Sequence, residues 1–173
     1  MNKKIGLLLS LALLVGCSSG TKTEEVKKEK KSEKVSEKTT KTTTIANPFQ
    51  DCESLEDAAK IAGFDLSCPE SVLESDSMLI QAIEEDMIQV IYDKNDEEVL
   101  RIRKSSSDDD ITGDYNEYSE EVDQDINGIS VHLKGENEKY STVSWNVDEY
   151  QYCILSSSGL NLADISNLVN SIQ

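Results

Sequence analysis

Apolar positions fall into three regimes along the chain. Ile5 to Val15 form a continuous apolar run, broken only by Gly6 and Ser10. Residues 18–46 hold Val26, Val35 and Ile45 as nearly their only large apolar side chains. From Asn47 onward, apolar positions recur with regular periods. Leu55, Ala58, Ala59 and Ala62 share one helical face at the i, i+3, i+4, i+7 spacing. Ser54 precedes them with an acid three residues on, a variant of the capping box, and Gly63 follows in the position of a left-handed C-cap. The spacing predicts a helix over 55–62.

Beyond Phe64 the period shortens to two. Strands are predicted over Met78–Ile83, Met87–Tyr92, Val99–Lys104 and Tyr118–Ile126. Further strands are expected around Ile129–Leu133, around Val143–Val147 and over Tyr150–Leu155. On the third strand Leu100 and Ile102 point inward while Arg101 and Arg103 point outward. Asp93-Lys94-Asn95-Asp96 reads as a hairpin turn, and Asn127-Gly128 as a type I′ turn. Ser105–Asn116 and Ser156–Gly159 read as loops. A closing helix starts at the cap Asn161, with Leu162, Ile165, Leu168 and Ile172 on one face. The expected fold class is α+β: an antiparallel sheet of six or seven strands, with an N-terminal and a C-terminal helix packed on one face and the other face solvated.

Charge divides the chain differently from its average. The 173 residues carry a net charge of -17, from 34 acidic and 17 basic residues. Residues 18–46 hold eight Lys against five Glu, whereas residues 47–173 hold seven Lys and Arg against 29 Asp and Glu, a balance of -22. Such a domain is repelled by phosphate backbones and by anionic lipid, so nucleic acid is not expected as a partner.

The first regime has an address-like form. Lys3 and Lys4 precede the apolar run, which is too short for a permanent membrane span. Leu14-Val15-Gly16-Cys17 follows and resembles the bacterial lipobox, with Ser18 and Ser19 rather than an acid after the Cys. The resemblance implies a signal peptide over 1–16, cleaved before Cys17, and a diacylglyceryl group on the Cys17 sulfur. Two acyl chains suffice for stable attachment. Residues 17–46 are then a lipidated Cys and a disordered Lys/Thr/Glu/Ser-rich tether, too poor in apolar side chains to order itself. The tether reaches roughly 30 Å as a flexible coil. Its lysines either lie along anionic lipid or wall polymer or are simply solvated.

Candidate chemistry is sparse. Three cysteines remain beside Cys17: Cys52, Cys68 and Cys153. Cys52 and Cys68 flank the first helix, so either they bridge or all three are small apolar residues. Arg101, Arg103 and Lys104 form the only basic cluster of the acidic domain; they either pair with strand carboxylates or contact an anionic partner. Asp108, Asp110, Thr112 and Gly113 start a calcium-loop template, but its twelfth position is Ser119. A looser site would add Asp114 or Glu117; the alternative is a solvated acidic loop. His132, the single histidine, is expected on the exposed side of a strand. No nucleophile elbow, phosphate loop or metal-binding His pair occurs, and no cofactor is expected.

The domain is also similar to uncharacterised domains of small Firmicute lipoproteins. The residues that carry this are Asn47-Pro48-Phe49, Leu55-Glu56, Ala62-Gly63-Phe64, Ile102-Arg103-Lys104 and Gly113-Asp114-Tyr115-Asn116-Glu117-Tyr118. The resemblance implies sensing or binding rather than turnover. The expected protein is a lipid-anchored module on the outer face of a Gram-positive cytoplasmic membrane. Its expected partners are that membrane and a cell-wall component or protein, and no catalytic activity is inferred. A carrier of a lipid or other apolar ligand is the alternative, and a surface enzyme the third reading.

Overall fold

A computed structural model describes residues 47–173. Cys17, the signal peptide and the tether lie outside the described residues. The elements in chain order are β1 (Gln50–Cys52), α1 (Leu55–Ala62), β2 (Ser77–Ile83), β3 (Met87–Lys94) and β4 (Glu97–Ser105). They continue with β5 (Glu120–Ile126), β6 (Ile129–Glu136), β7 (Lys139–Val147), β8 (Tyr150–Leu160) and α2 (Leu162–Ser171). The domain is mostly sheet with two helices, and all strands join one antiparallel sheet in the order β1-β2-β3-β4-β8-β7-β6-β5.

The strand count is eight, not six or seven. β1 escapes sequence reading because three residues cannot display a period; pairing with β2 alone makes it a strand. β8 is longer than expected, because Ser156–Gly159 continues the strand across a register shift until Leu160 faces Tyr140. The two tight turns form as read: Asn95 and Asp96 have φ of 54° and 63°, and Asn127 and Gly128 have 54° and 87°. These left-handed pairs match the twist of the strands they join.

One sheet face is the core. Ile88, Val90 and Tyr92 of β3, Leu100 and Ile102 of β4, Ile154 of β8 and Val143 of β7 are all fully buried there. Both helices reach this core, but they meet it unequally. α1 offers Ala58 and Ala62, small enough to let its backbone lie close against β1, β2 and β3. α2 offers Ile165, Leu168 and Val169, whose bulk holds its backbone farther from the strands. α2 instead continues into a short clasp in which Ser67 and Gln173 exchange both backbone hydrogen bonds. Ser54 and Asn161 cap the two helices through their side chains, as their spacing predicts.

The second face is not simply solvated. β4 lies mid-sheet and β5 at the far edge, so residues 106–119 must cross between them. They run over the second face as a strap. Ile111 of the strap packs with Met87 and Cys153 into a small second core, flanked by Phe49, Ile83 and Leu155.

Candidate functional site

The strap explains its own composition. Irregular backbone lying on a sheet must find acceptors for its N–H groups. Here side chains two residues upstream accept them: Ser107 for Asp109, Asp110 for Thr112, Thr112 for Asp114 and Asp114 for Asn116. Ser, Thr and Asp are the residue types that make such turns. Asp110 and Asp114 are thus local scaffolding. Asp110 is engaged by the Thr112 amide and hydroxyl, and Asp114 by the hydroxyls of Thr142 and Tyr118. Among the described residues no three His, Cys, Asp or Glu side chains converge to hold a metal. Of the calcium-loop candidates, Asp110 and Asp114 spend their carboxylates on hydrogen bonds within the strap and to β7, while Asp108 lines the groove beside it.

Asp114 fastens the strap to the sheet. Partial burial pushes its pKa up, but the hydrogen bonds from the Thr142 and Tyr118 hydroxyls and from Asn116 outweigh this and hold the carboxyl below the usual value. A lowered carboxyl stabilises the folded state fully above the ordinary value of 3.8 and ceases to do so as pH falls through its folded-state value. The strap is therefore expected to loosen only in strong acid. Tyr118 ring resonances followed by NMR should titrate below about pH 4 in the wild type. Asp114→Ala should already give the loosened shifts at neutral pH. Loosening of the wild-type Tyr118 resonances already above about pH 4 would sink this assignment.

On the sheet beneath the strap, register aligns one polar row through every strand. Asp51, Gln81, Gln89, Arg103, Cys153, Ser144, His132 and Asp123 are successive directly opposed partners. Its first half is a continuous relay. Gln81 donates to Asp51 at 2.6 Å, Gln89 to Gln81 at 2.5 Å, and Arg103 Nε to Gln89 at 3.0 Å. Arg103 Nη1 donates onward to the strap carbonyls of Ile111 (2.7 Å) and Thr112 (3.2 Å). At the other end the His132 ring lies 2.8 Å from Asp123 and 3.1 Å from Glu121, and Lys134 also reaches Glu121. Lys134 and His132 hold the Glu121 carboxyl below its usual range.

The strap leaves a groove on each side. One, of about 560 Å³, is acidic and lined by Asp108, Asp110, Asp123, His132 and Asn146 among others. The other, of about 420 Å³, holds both arginines with Asn116, Tyr118, Ser141 and Ser157. Arg101 pairs with Glu98 there, while its Nε is buried without an acceptor, a state that costs about 1–3 kcal/mol.

The basic cluster read from sequence is split by strand alternation. Arg101 and Arg103 face the strap, but Lys104 points into the core and is 7% exposed. Its Nζ donates to the Asp65 carbonyl at 2.6 Å, and lies 4.5, 5.2 and 5.6 Å from the ring centroids of Tyr150, Tyr152 and Phe64. Lys104 is withdrawn as a partner contact.

The thiols are equally placed by packing. Cys52 and Cys68 are free rather than bridged, which corrects the disulfide reading. Cys52 sits on the edge strand and donates to Gln50, whereas Cys68 packs beside Tyr92. Cys153 is fully buried under the strap, and desolvation pushes its thiol up to about 12, disfavouring the reactive thiolate.

Sequence reasoning missed Gln81, Gln89, Tyr118 and Thr142 in this site. The available clue was parity: Gln89 interrupts an apolar run at a position that must face away from Ile88 and Val90. Among the described residues no helix is long and apolar enough to cross a membrane. Comparison with known proteins finds no matching family model, no matching curated protein and no matching solved structure.

Proposed function

We propose that this chain is a membrane-anchored extracytoplasmic lipoprotein whose folded domain is a binding or sensing module rather than an enzyme. Cys17 would carry the lipid, the Lys-rich tether would space the domain from the bilayer, and the -22 charge would hold it off an anionic surface. The observation that supports binding is the strapped face. Its polar row is locked by cross-strand hydrogen bonds, and a polar groove opens on each side of the strap. Rigid strands holding such side chains in fixed positions suit recognition. The carrier reading stands second, since side chains already fill the layer between sheet and helices.

Two measurements test this. In a Gram-positive host fed an alkyne fatty acid, the full chain should label and sediment with membranes, and Cys17→Ala should do neither. Retention of label by the alanine variant would remove the anchor. For binding, cells carrying the full chain are cross-linked and compared with a His132→Ala/Asn146→Ala variant. Products lost in the variant support the strapped face as the contact surface, and an unchanged product set counts against it.

A further inference from the structure

We infer that the groove holding Arg101 and Arg103 is a receptor for a small monocarboxylate, the anionic end of an otherwise neutral polar molecule. This rests on the binding-module reading and gives that module a ligand class. The strongest observation is Arg103. Its guanidinium is half-buried, yet every acceptor it meets among the described residues is neutral: the Gln89 amide oxygen and the carbonyls of Ile111 and Thr112. Lys60, Lys94, Arg101 and Lys134 each lie within salt-bridge distance of a carboxylate, and Arg103 does not. A cation withdrawn from water without a counter-ion is an electrostatic vacancy for an anion.

Arg103 is also preorganised. Nε and Nη1 are occupied by the relay and the strap, which fixes the guanidinium plane and leaves Nη2 without an acceptor among the described residues. Two residues along the same strand face, Arg101 lines the same groove. Glu98 tethers it at one nitrogen only, and its Nε has no acceptor. A planar carboxylate suits such forked donors. The hydroxyls of Ser141 and Ser157 and the Asn116 amide oxygen then face the uncharged remainder of the ligand, the Tyr118 hydroxyl being held by Asp114. A volume of about 420 Å³ admits a ligand the size of an amino-acid derivative or the end of a short peptide.

The domain's own charge selects against larger anions. At -22, a polyphosphate or polyuronate would be repelled wherever it extended past the groove, since fields persist for about 8 Å at physiological ionic strength. A single carboxylate on a neutral framework brings one charge to the two arginines, while Glu98 and Asp114, which also line the groove, are already engaged by Arg101 and by the Thr142 and Tyr118 hydroxyls.

The test uses the full chain and three probes: N-acetylglycine, its neutral amide and inorganic phosphate. Binding is followed by calorimetry and by NMR of the arginine side-chain N–H groups. N-acetylglycine should bind in the millimolar range and shift the Arg101 and Arg103 signals. The amide should do neither, and phosphate should bind more weakly. Arg101→Gln should weaken N-acetylglycine about tenfold, the worth of one charged hydrogen bond. Arg103→Lys should weaken it at least as much, and Arg101→Gln alone decides if that variant unfolds. Equal binding of acid and amide, tighter binding of phosphate, or an unchanged affinity in Arg101→Gln each overturns the assignment. Should the monocarboxylate fail while cross-linked partners still depend on the strapped face, only this inference falls.

Discussion

Lys104→Ala is expected to lower the unfolding free energy by about 3 kcal/mol, one of the two largest effects of any single substitution proposed for this domain. The side chain is 93% removed from solvent, as its 7% exposure requires, and it ties two parts of the fold together. Its stem fills the space between β4 and the segment after α1, and its ammonium binds the Asp65 carbonyl and the faces of three aromatic rings. Truncation leaves a cavity, strands the Asp65 carbonyl and dissolves the aromatic cage, and each loss has the same sign. Lys104→Met separates volume from charge. Methionine restores most of the packing, so its loss should be smaller, about 1–2 kcal/mol, reflecting the charged hydrogen bond and the cation–π contacts. Urea denaturation of both variants checks this ordering. A methionine variant as stable as the wild type, or more so, would mean that the cost of burying the ammonium cancels its contacts, and the argument for the cage would collapse.

The same residue shows what could be read from sequence and what could not. Strand parity places Leu100 and Ile102 inward, and so already places Lys104 inward with them. Charge argued for the opposite side and was the wrong guide, because the aromatic partners come from β8 and from residue 64, distant in sequence. Both helices, their caps and the Asn127-Gly128 turn were legible because each is decided within a few residues. β1 was not, since its only evidence is a partner strand. Nor was the strap's path: a Ser- and Asp-rich stretch reads as a solvated loop until sheet order forces it from the centre to the edge. The binding face depends on that order throughout. Gln81, Gln89 and Arg103 are unrelated residues in sequence and become one relay only through the registers of two strand pairs.

Gly135→Ala is expected to cost about 3 kcal/mol or more, with a fall in Tm of roughly 10 °C. Gly135 sits on β6 where the register with β7 shifts, in a place where the partner strand's backbone comes too close for any side chain. A Cβ there would meet the Lys139 carbonyl oxygen at 2.0 Å, the Tyr140 Cα at 2.6 Å and the Lys139 carbonyl carbon at 2.8 Å. All three are main-chain atoms, so no rotamer change relieves the overlap. Relief requires β7 to move away, and β7 is held by pairing with β8 and by Tyr140, Val143 and Trp145 in the core. It also requires the β6–β7 turn to change, although Asn137 and Glu138 already occupy the left-handed region at φ of 54° and 57°. Gly128→Ala in the neighbouring hairpin is the control. Nothing lies within 4 Å of its added Cβ, and only a φ of +87° opposes the substitution, so its cost should stay near 1 kcal/mol. Calorimetric melting of the two variants separates steric overlap from backbone strain. If Gly135→Ala melts within a few degrees of Gly128→Ala, the two strands do not approach each other as closely as described, and the register shift between β6 and β7 at Gly135 would have to be drawn differently.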